Sequence, residues 1–295
     1  MTPRRVQAAV PAVALLLLVL AGCGSGGGDD SRAASPIVPQ RAFGVFVGIA
    51  EYPLALPDLD GCDQDAVQVW RRLGGALPPW PLDSETAAGQ VRLLTWPTAA
   101  AAASRLPDGA QGAASREGIL QAIEDLAARM TSDDLFVFYF SGHAEYDSAE
   151  GRAYLCSSGA HEDRISDAEL AAALAAVPAN PRAANVVLIL DACRSGAFAS
   201  LASARPGIVV LASSAAAEDA VIRGDYSIFT SALIQGLGPD NVLGLADANA
   251  DRAITPSELF AHAQWAARQM TRDQHPVFGG SGQREMTLKY RSAAL

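Results

Sequence analysis

The sequence predicts a layered α/β domain: a mostly parallel central sheet of about six strands flanked by helices. Three observations point there. Unbroken runs of Val, Ile, Leu and aromatic residues, such as LFVFYF at 135–140 and VVLIL at 186–190, suit parallel strands buried on both faces better than half-exposed antiparallel ones. These runs alternate with segments of helical periodicity, as crossover connections require. Two of the runs also end abruptly on reactive side chains, His143 and Cys193, fifty residues apart. In open α/β sheets chemistry collects just beyond the strand carboxyl ends.

Taken in order, residues 42–49 (AFGVFVGI) read as the first strand, and 63–73 as a helix carrying Ala66, Val69, Trp70 and Leu73 on one face. Residues 91–95 form a short second strand. The Ala/Gly-rich stretch 98–115, with Pro107-Asp108-Gly109 inside it, reads as a loop or surface insertion. A helix follows at 116–130 with Ile119, Ile123, Leu126 and Met130 inward, then the strand leading to His143. Next come a helix at 167–177 bearing Leu170, Leu174 and Val177, the strand leading to Cys193, and a further buried strand at 208–212. Helices at 227–237 and 256–270 and a closing strand at 285–290 complete the pattern, with no internal repeat.

At 295 residues and half hydrophobic, the chain can bury one large core. Its net charge is −10, and no Lys/Arg run interrupts the acidic balance, so nucleic acid is not an expected partner. The N-terminus reads as a targeting segment. Arg4 and Arg5 precede an apolar stretch at 8–20, shorter than the ~20 residues that span a bilayer but suited to a secretory core. It ends in Leu20-Ala21-Gly22-Cys23 followed by a Gly/Ser-rich run. This resembles a bacterial lipoprotein signal, which implies cleavage before Cys23, lipidation of that cysteine, and an exported protein anchored to a bacterial membrane on its periplasmic or extracytoplasmic face. The expected organisation is a signal peptide at 1–22, a flexible tether at 23–40 and one domain at 41–295. Cys62, Cys156 and Cys193 then remain, an odd number. Cys193 is the expected free thiol; Cys62 and Cys156 either pair as a disulfide or lie unpaired and buried.

A thiol and an imidazole delivered to one rim suit nucleophilic catalysis, the sulfur attacking a carbonyl and the imidazole moving the proton. The blocks Asp191-Ala192-Cys193-Arg194-Ser195-Gly196, Gly61-Cys62-Asp63-Gln64-Asp65-Ala66, Leu211-Ala212-Ser213-Ser214 and Phe229-Thr230-Ser231-Ala232-Leu233 resemble the caspase-like cysteine peptidases, in the metacaspase and bacterial caspase-homologue branch. The likeness spans roughly residues 42–290 and agrees with the histidine-to-cysteine spacing of about 50 typical of such enzymes. It implies a caspase-like three-layer sandwich and a cysteine endopeptidase with Cys193 as nucleophile and His143 as base. Its oxyanion hole would be the amides of Cys193 and Ala144, where the family usually has Gly after the histidine. Asp191 and Asp65 match the two acids of an S1 pocket for Arg or Lys at P1, and Ser213 and Ser214 match positions that touch substrate backbone, strand-end hydrogen bonding being the other reading. The implied partners are peptides or proteins with a basic P1 residue. A catalytically weak scaffold or peptide-binding lipoprotein of the same fold is the alternative, and another specificity within the same structural clan a third.

Residues 247–258 carry a second pattern. Asp247, Asn249, Asp251, Thr255 and Glu258 fall at positions 1, 3, 5, 9 and 12 of an EF-hand-like loop, with Arg252 where Gly is usual. Helix capping by Thr255 explains much of it without metal. The chemistry requires no cofactor, and calcium stays an open alternative. His161, His262 and His275 have no comparable context and read as surface or structural residues.

Overall fold

Parallel pairing of apolar runs organises the molecule. The computed structural model describes residues 35–53, 56–74, 77–98, 106, 110–223, 226–240, 242–280 and 282–291. The proposed signal peptide with Cys23, the tether up to residue 34 and Pro107-Asp108-Gly109 lie outside them. The strands are β1 (Ala42–Ile49), β2 (Val91–Trp96), β3 (Gln111–Gly112), β4 (Leu135–Ser141), β5 (Ala144–Asp147), β6 (Arg152–Leu155), β7 (Ile165–Ser166), β8 (Val186–Asp191), β9 (Ile208–Ala212), β10 (Ile222–Arg223), β11 (Tyr226–Ser227), β12 (Ala253–Ile254), β13 (Val277–Gly279) and β14 (Lys289–Tyr290). The helices are α1 (Cys62–Gly74), α2 (Ser84–Gln90), α3 (Arg116–Ala127), α4 (Asp167–Leu174), α5 (Leu201–Ala204), α6 (Ile228–Leu237) and α7 (Pro256–Met270). The main sheet has seven strands in the order β13-β9-β8-β4-β1-β2-β3. All pairs are parallel except the edge strand β13, which runs antiparallel to β9.

The central strands are buried along their whole length because period-two alternation sends successive side chains to two cores. Phe46, Tyr139, Ile189 and Leu211 pack on one face with Trp70 of α1, Phe229 and Leu233 of α6 and Leu259 of α7. Val45, Phe138, Leu188 and Val210 pack on the other with Ile119 and Ile123 of α3 and Leu170 and Leu174 of α4. Local chemistry sets the helix starts. Ser115 Oγ accepts from the Gly118 amide at α3, and Ser166 with Glu169, then Thr255 with Glu258, form capping boxes at α4 and α7. No helix among the described residues is long and apolar enough to cross a membrane.

Several elements differ from the sequence expectation. The closing strand at 285–290 is replaced by β13 at the sheet edge. Glu285 and Met286 instead bridge Ala184 and Ile37, and Lys289–Tyr290 pairs with Ala253–Ile254. Met286, Thr287, Leu288 and Lys289 are buried there, away from the main sheet. The last residues of the expected tether are ordered with them: Ile37 accepts from the Thr287 amide at 2.9 Å, and the compact body starts at Pro36. Helix α2, capped by Asp83, the short β3, and the antiparallel sheet β5-β6-β7 are additions too short or too polar to announce themselves by periodicity.

The start of α1 lies directly against β1. A Cβ at Gly48 would enter the van der Waals shell of the Cys62 carbonyl oxygen and lie 2.9 Å from Asp63 Cα. Gly48→Ala should therefore lower stability by about 1–3 kcal/mol, read as a lower midpoint in chemical denaturation.

Candidate active site

Register brings the functional positions together. Gly48 of β1 pairs with Ser141 of β4, and Ser141 pairs with Asp191 of β8. His143 and Cys193 each lie two residues beyond those strand ends. Both line one open cleft of about 540 Å³, with Ala144, Glu145, Arg194 and Asp219 on its walls.

His143 is held from three sides by the chain just after β1. Its Nε2 lies 2.8 Å from the Pro57 carbonyl oxygen. A carbonyl can only accept, so Nε2 carries the proton and Nδ1 is left with a lone pair to act as a base. The His143 amide donates to the Tyr52 hydroxyl at 2.8 Å, and the two rings meet edge to face with centroids 4.7 Å apart. The Tyr52 amide in turn donates to Asp58 Oδ1 at 2.9 Å. Glycine is required at 142 because a Cβ there would collide with the Tyr52 hydroxyl. None of these supports was visible in the sequence, since a backbone carbonyl carries no residue signature.

Ala144 does not incur the backbone cost that a residue in place of glycine could bring. It lies in β5 with no positive φ. The Cys156 amide donates to the His143 carbonyl at 3.0 Å, so the next pair, Ala144 and Leu155, is of the non-hydrogen-bonded kind, and the Ala144 N–H points away from β6.

The turn after β8 that carries Cys193 is tied down residue by residue. Ala192 exchanges hydrogen bonds with Ser213 Oγ, at 3.1 and 3.2 Å, and its carbonyl also accepts from Ser214 Oγ at 3.0 Å. Ser213 and Ser214 are fully buried, so their hydroxyls serve the turn in this arrangement. Arg194 takes a left-handed φ of 58°, a conformation costing about 1–2 kcal/mol. Its amide bonds to the Glu218 carbonyl at 2.7 Å, and Gly196 N to Ser214 O at 2.9 Å. The half-buried Cys193 Sγ accepts from the Ala220 amide at 3.3 Å. Burial pushes this thiol above its ordinary range, and Asp219 adds to the effect while the Ala220 N–H opposes it.

Asp191 and Asp65 lie beneath this rim. Asp191 Oδ2 accepts from the Ser227 hydroxyl, from Thr230 N at 3.0 Å and from Thr230 Oγ1 at 2.7 Å, at the N-terminus of α6. Asp65 Oδ2 accepts from Ser141 Oγ at 2.8 Å. Both residues are buried, at 0 % and 3 % exposure for Asp65 and Asp191, and each keeps its Oδ1 without a hydrogen-bond partner. Burial raises both carboxyls above their usual range, and for Asp65 the neighbouring Asp191 charge adds to it. Neither lines the open cleft.

Cys62 and Cys156 are free, buried thiols, which decides between the two alternatives the sequence left open. Burial pushes the Cys156 thiol up to about 12 and raises Cys62 further.

The 247–258 loop is occupied with its own turn. Asn249 Oδ1 accepts from Asp251 N at 2.8 Å, Asp251 Oδ1 from Ala253 N at 3.0 Å, and Glu258 from Thr255 N and Oγ1, each at 2.9 Å. Asp247 stands apart from these bonds with a buried, unpartnered Oδ1. No group of three His, Cys, Asp or Glu side chains able to hold a metal occurs among the described residues. Asn249, Asp251 and Glu258 are thus engaged within the loop's own turn and the helix cap.

Comparison with known proteins adds the family. The family described as the caspase domain, Peptidase C14, matches residues 41–275. A crystal structure of a protein from Geobacter sulfurreducens shares the fold with a TM-score of 0.52 at 15 % identity, covering 85 % of this chain and 100 % of its own. No curated protein sequence matches the chain.

Tyr52→Phe removes the acceptor of the His143 amide and leaves that N–H unsatisfied beside a buried ring. It should cost about 1–3 kcal/mol, measured by urea denaturation against the wild type.

Proposed function

The chain belongs to the caspase domain family of cysteine peptidases, and on that premise we propose that it is an endopeptidase cleaving after Arg or Lys, with Cys193 as nucleophile and His143 as general base. The Cys193 thiol passes its proton to His143 Nδ1 as the sulfur attacks the carbonyl carbon of the scissile bond. The oxyanion accepts from the amides of Cys193 and Ala144. Collapse breaks the C–N bond, the imidazolium gives its proton to the leaving amine, and a thioester remains. Water then attacks that thioester, losing a proton to His143, and the acid departs as Cys193 recovers its thiol. The Pro57 carbonyl holds the ring in the required tautomer and stabilises the imidazolium.

One observation carries the P1 assignment. Asp65 and Asp191 are two buried carboxyls that each retain an unpartnered oxygen, an arrangement that is costly alone and matched by a guanidinium or ammonium. Their burial means that the segments covering them must move for P1 to enter. That closure, with the raised thiol, also favours the second reading, a catalytically weak scaffold of the same fold. We further infer an exported protein held at a bacterial membrane through lipidated Cys23, supported by the Arg4-Arg5, apolar and Leu20-Ala21-Gly22-Cys23 sequence.

The decisive experiment compares the domain lacking Cys23 with its Cys193→Ala variant on fluorogenic Arg-, Lys- and Asp-P1 peptides. Cleavage after Arg or Lys that vanishes in the variant is the expected result; silence on all three brings the scaffold reading forward, and cleavage after Asp overturns the acidic pocket. Because burial raises both S1 carboxyls and a cation binds their ionised forms, KM for Arg peptides should fall as pH rises. Asp191→Asn should raise that KM by tenfold or more and flatten its pH dependence. In intact cells, Cys23→Ser should move the protein from the membrane to the soluble fraction, checked by fractionation and immunoblot.

A further inference from the structure

The segment following β9 crosses the nucleophile and leaves one carboxylate beside it. Ala220 N donates to Cys193 Sγ at 3.3 Å and Arg194 N donates to the Glu218 carbonyl at 2.7 Å, which brackets Asp219 on both sides. The flanking residues are anchored away from the cleft. The Glu218 carboxylate accepts from His275 N at 2.9 Å and pairs with His275 Nδ1 at 2.8 Å. Val221 N donates to the buried Gln274, whose Nε2 donates to the Ser213 carbonyl, both at 2.9 Å. Asp219 therefore stays exposed on the cleft wall with Cys193 and His143.

The other acids of the cleft and Arg164 already have partners. Glu145 is paired with Arg164 at 2.6 Å and with His161 at 3.1 Å. Asp147 Oδ1 accepts from Ala149 N and Glu150 N. Arg194 also lines the cleft and acts on Cys193 in the opposite sense to Asp219. No described side chain forms an ion pair with Asp219. Sharing the cleft wall with Cys193, its carboxylate disfavours a thiolate there by like-charge repulsion.

We propose that Asp219 is a substrate-sensing residue, holding Cys193 as a thiol in the empty cleft and releasing it when a guanidinium or ammonium group of a substrate pairs with Asp219. This rests on the peptidase reading above and calls for a second basic group of the substrate outside P1, since the P1 cation is taken by the Asp65–Asp191 pair. An exposed thiolate is open to oxidation, so a cleft that charges its sulfur only beside a cation protects the nucleophile while unoccupied.

The test needs no turnover. Alkylation of Cys193 by iodoacetamide forms an S–C bond and releases iodide, and peptide mass analysis separates it from the buried Cys62 and Cys156. Wild type, Asp219→Asn and Asp219→Glu are compared from about pH 6 to 9, with and without agmatine as the cation. Near neutral pH the Asn variant should react roughly tenfold faster than wild type and ignore agmatine. Wild type should be accelerated by agmatine towards that level, and the Glu variant should regain protection. Identical profiles in wild type and the Asn variant would overturn the proposal. So would agmatine slowing the wild type, or accelerating both proteins alike, since the latter puts its effect at Asp65 and Asp191. If no peptide is cleaved while agmatine still accelerates only the wild type, sensing stands and the peptidase reading falls; cleavage with an indifferent Asp219→Asn variant gives the reverse.

Discussion

The register of three central strands is the constraint on which the site depends. Gly48, Ser141 and Asp191 lie side by side at one edge of the sheet, and every functional group is placed relative to that row. Ser141 holds Asp65, Asp191 caps the start of α6, and the chain leaves β4 and β8 to present His143 and Cys193. A slip of one residue would send each side chain to the opposite face. Such a slip is opposed by the whole core, because both faces of β1, β4 and β8 are packed with aliphatic and aromatic residues.

Above that rigid row the site is built from groups held under tension of charge rather than of shape. Two carboxyls are buried with an unpartnered oxygen each, and a thiol is pushed towards its protonated form by burial and a neighbouring acid. An apolar core of the same volume would avoid these costs. Both carboxyls sit at the carboxyl edge of the parallel sheet, Asp191 at the end of β8 and Asp65 through its bond to Ser141 at the end of β4.

The support of the histidine illustrates how far a sequence can be read. His143 and Cys193 were legible because each ends an apolar run, and the surrounding hexapeptide at the cysteine is distinctive. Pro57 and Tyr52 were not, although they orient the imidazole. Pro57 acts through its backbone oxygen, which any residue could provide, and Tyr52 reaches across 91 positions to an amide. Ser213 and Ser214 were legible as a pair of strand-end hydroxyls, but whether they face substrate or the Ala192 backbone depended on the path of the chain after Cys193.

By itself the sequence determined the layered α/β class, the main strands and helices, and the two reactive side chains, because periodicity and burial of long apolar runs are local properties that leave few ways to fold. Tertiary structure alone decided which strand closes the sheet: Val277–Gly279 pairs with β9, while the 285–290 run bridges Ala184 and Ile37 and pairs with Ala253–Ile254. It also decided that Cys62 and Cys156 stay unpaired, that Asp251 and Glu258 bond within their own turn and helix cap, and that Asp219 shares a cleft wall with Cys193. Each of these depends on contacts between residues far apart in the chain, whose partners compete for the same backbone groups and the same buried volume, and that competition is resolved only in three dimensions.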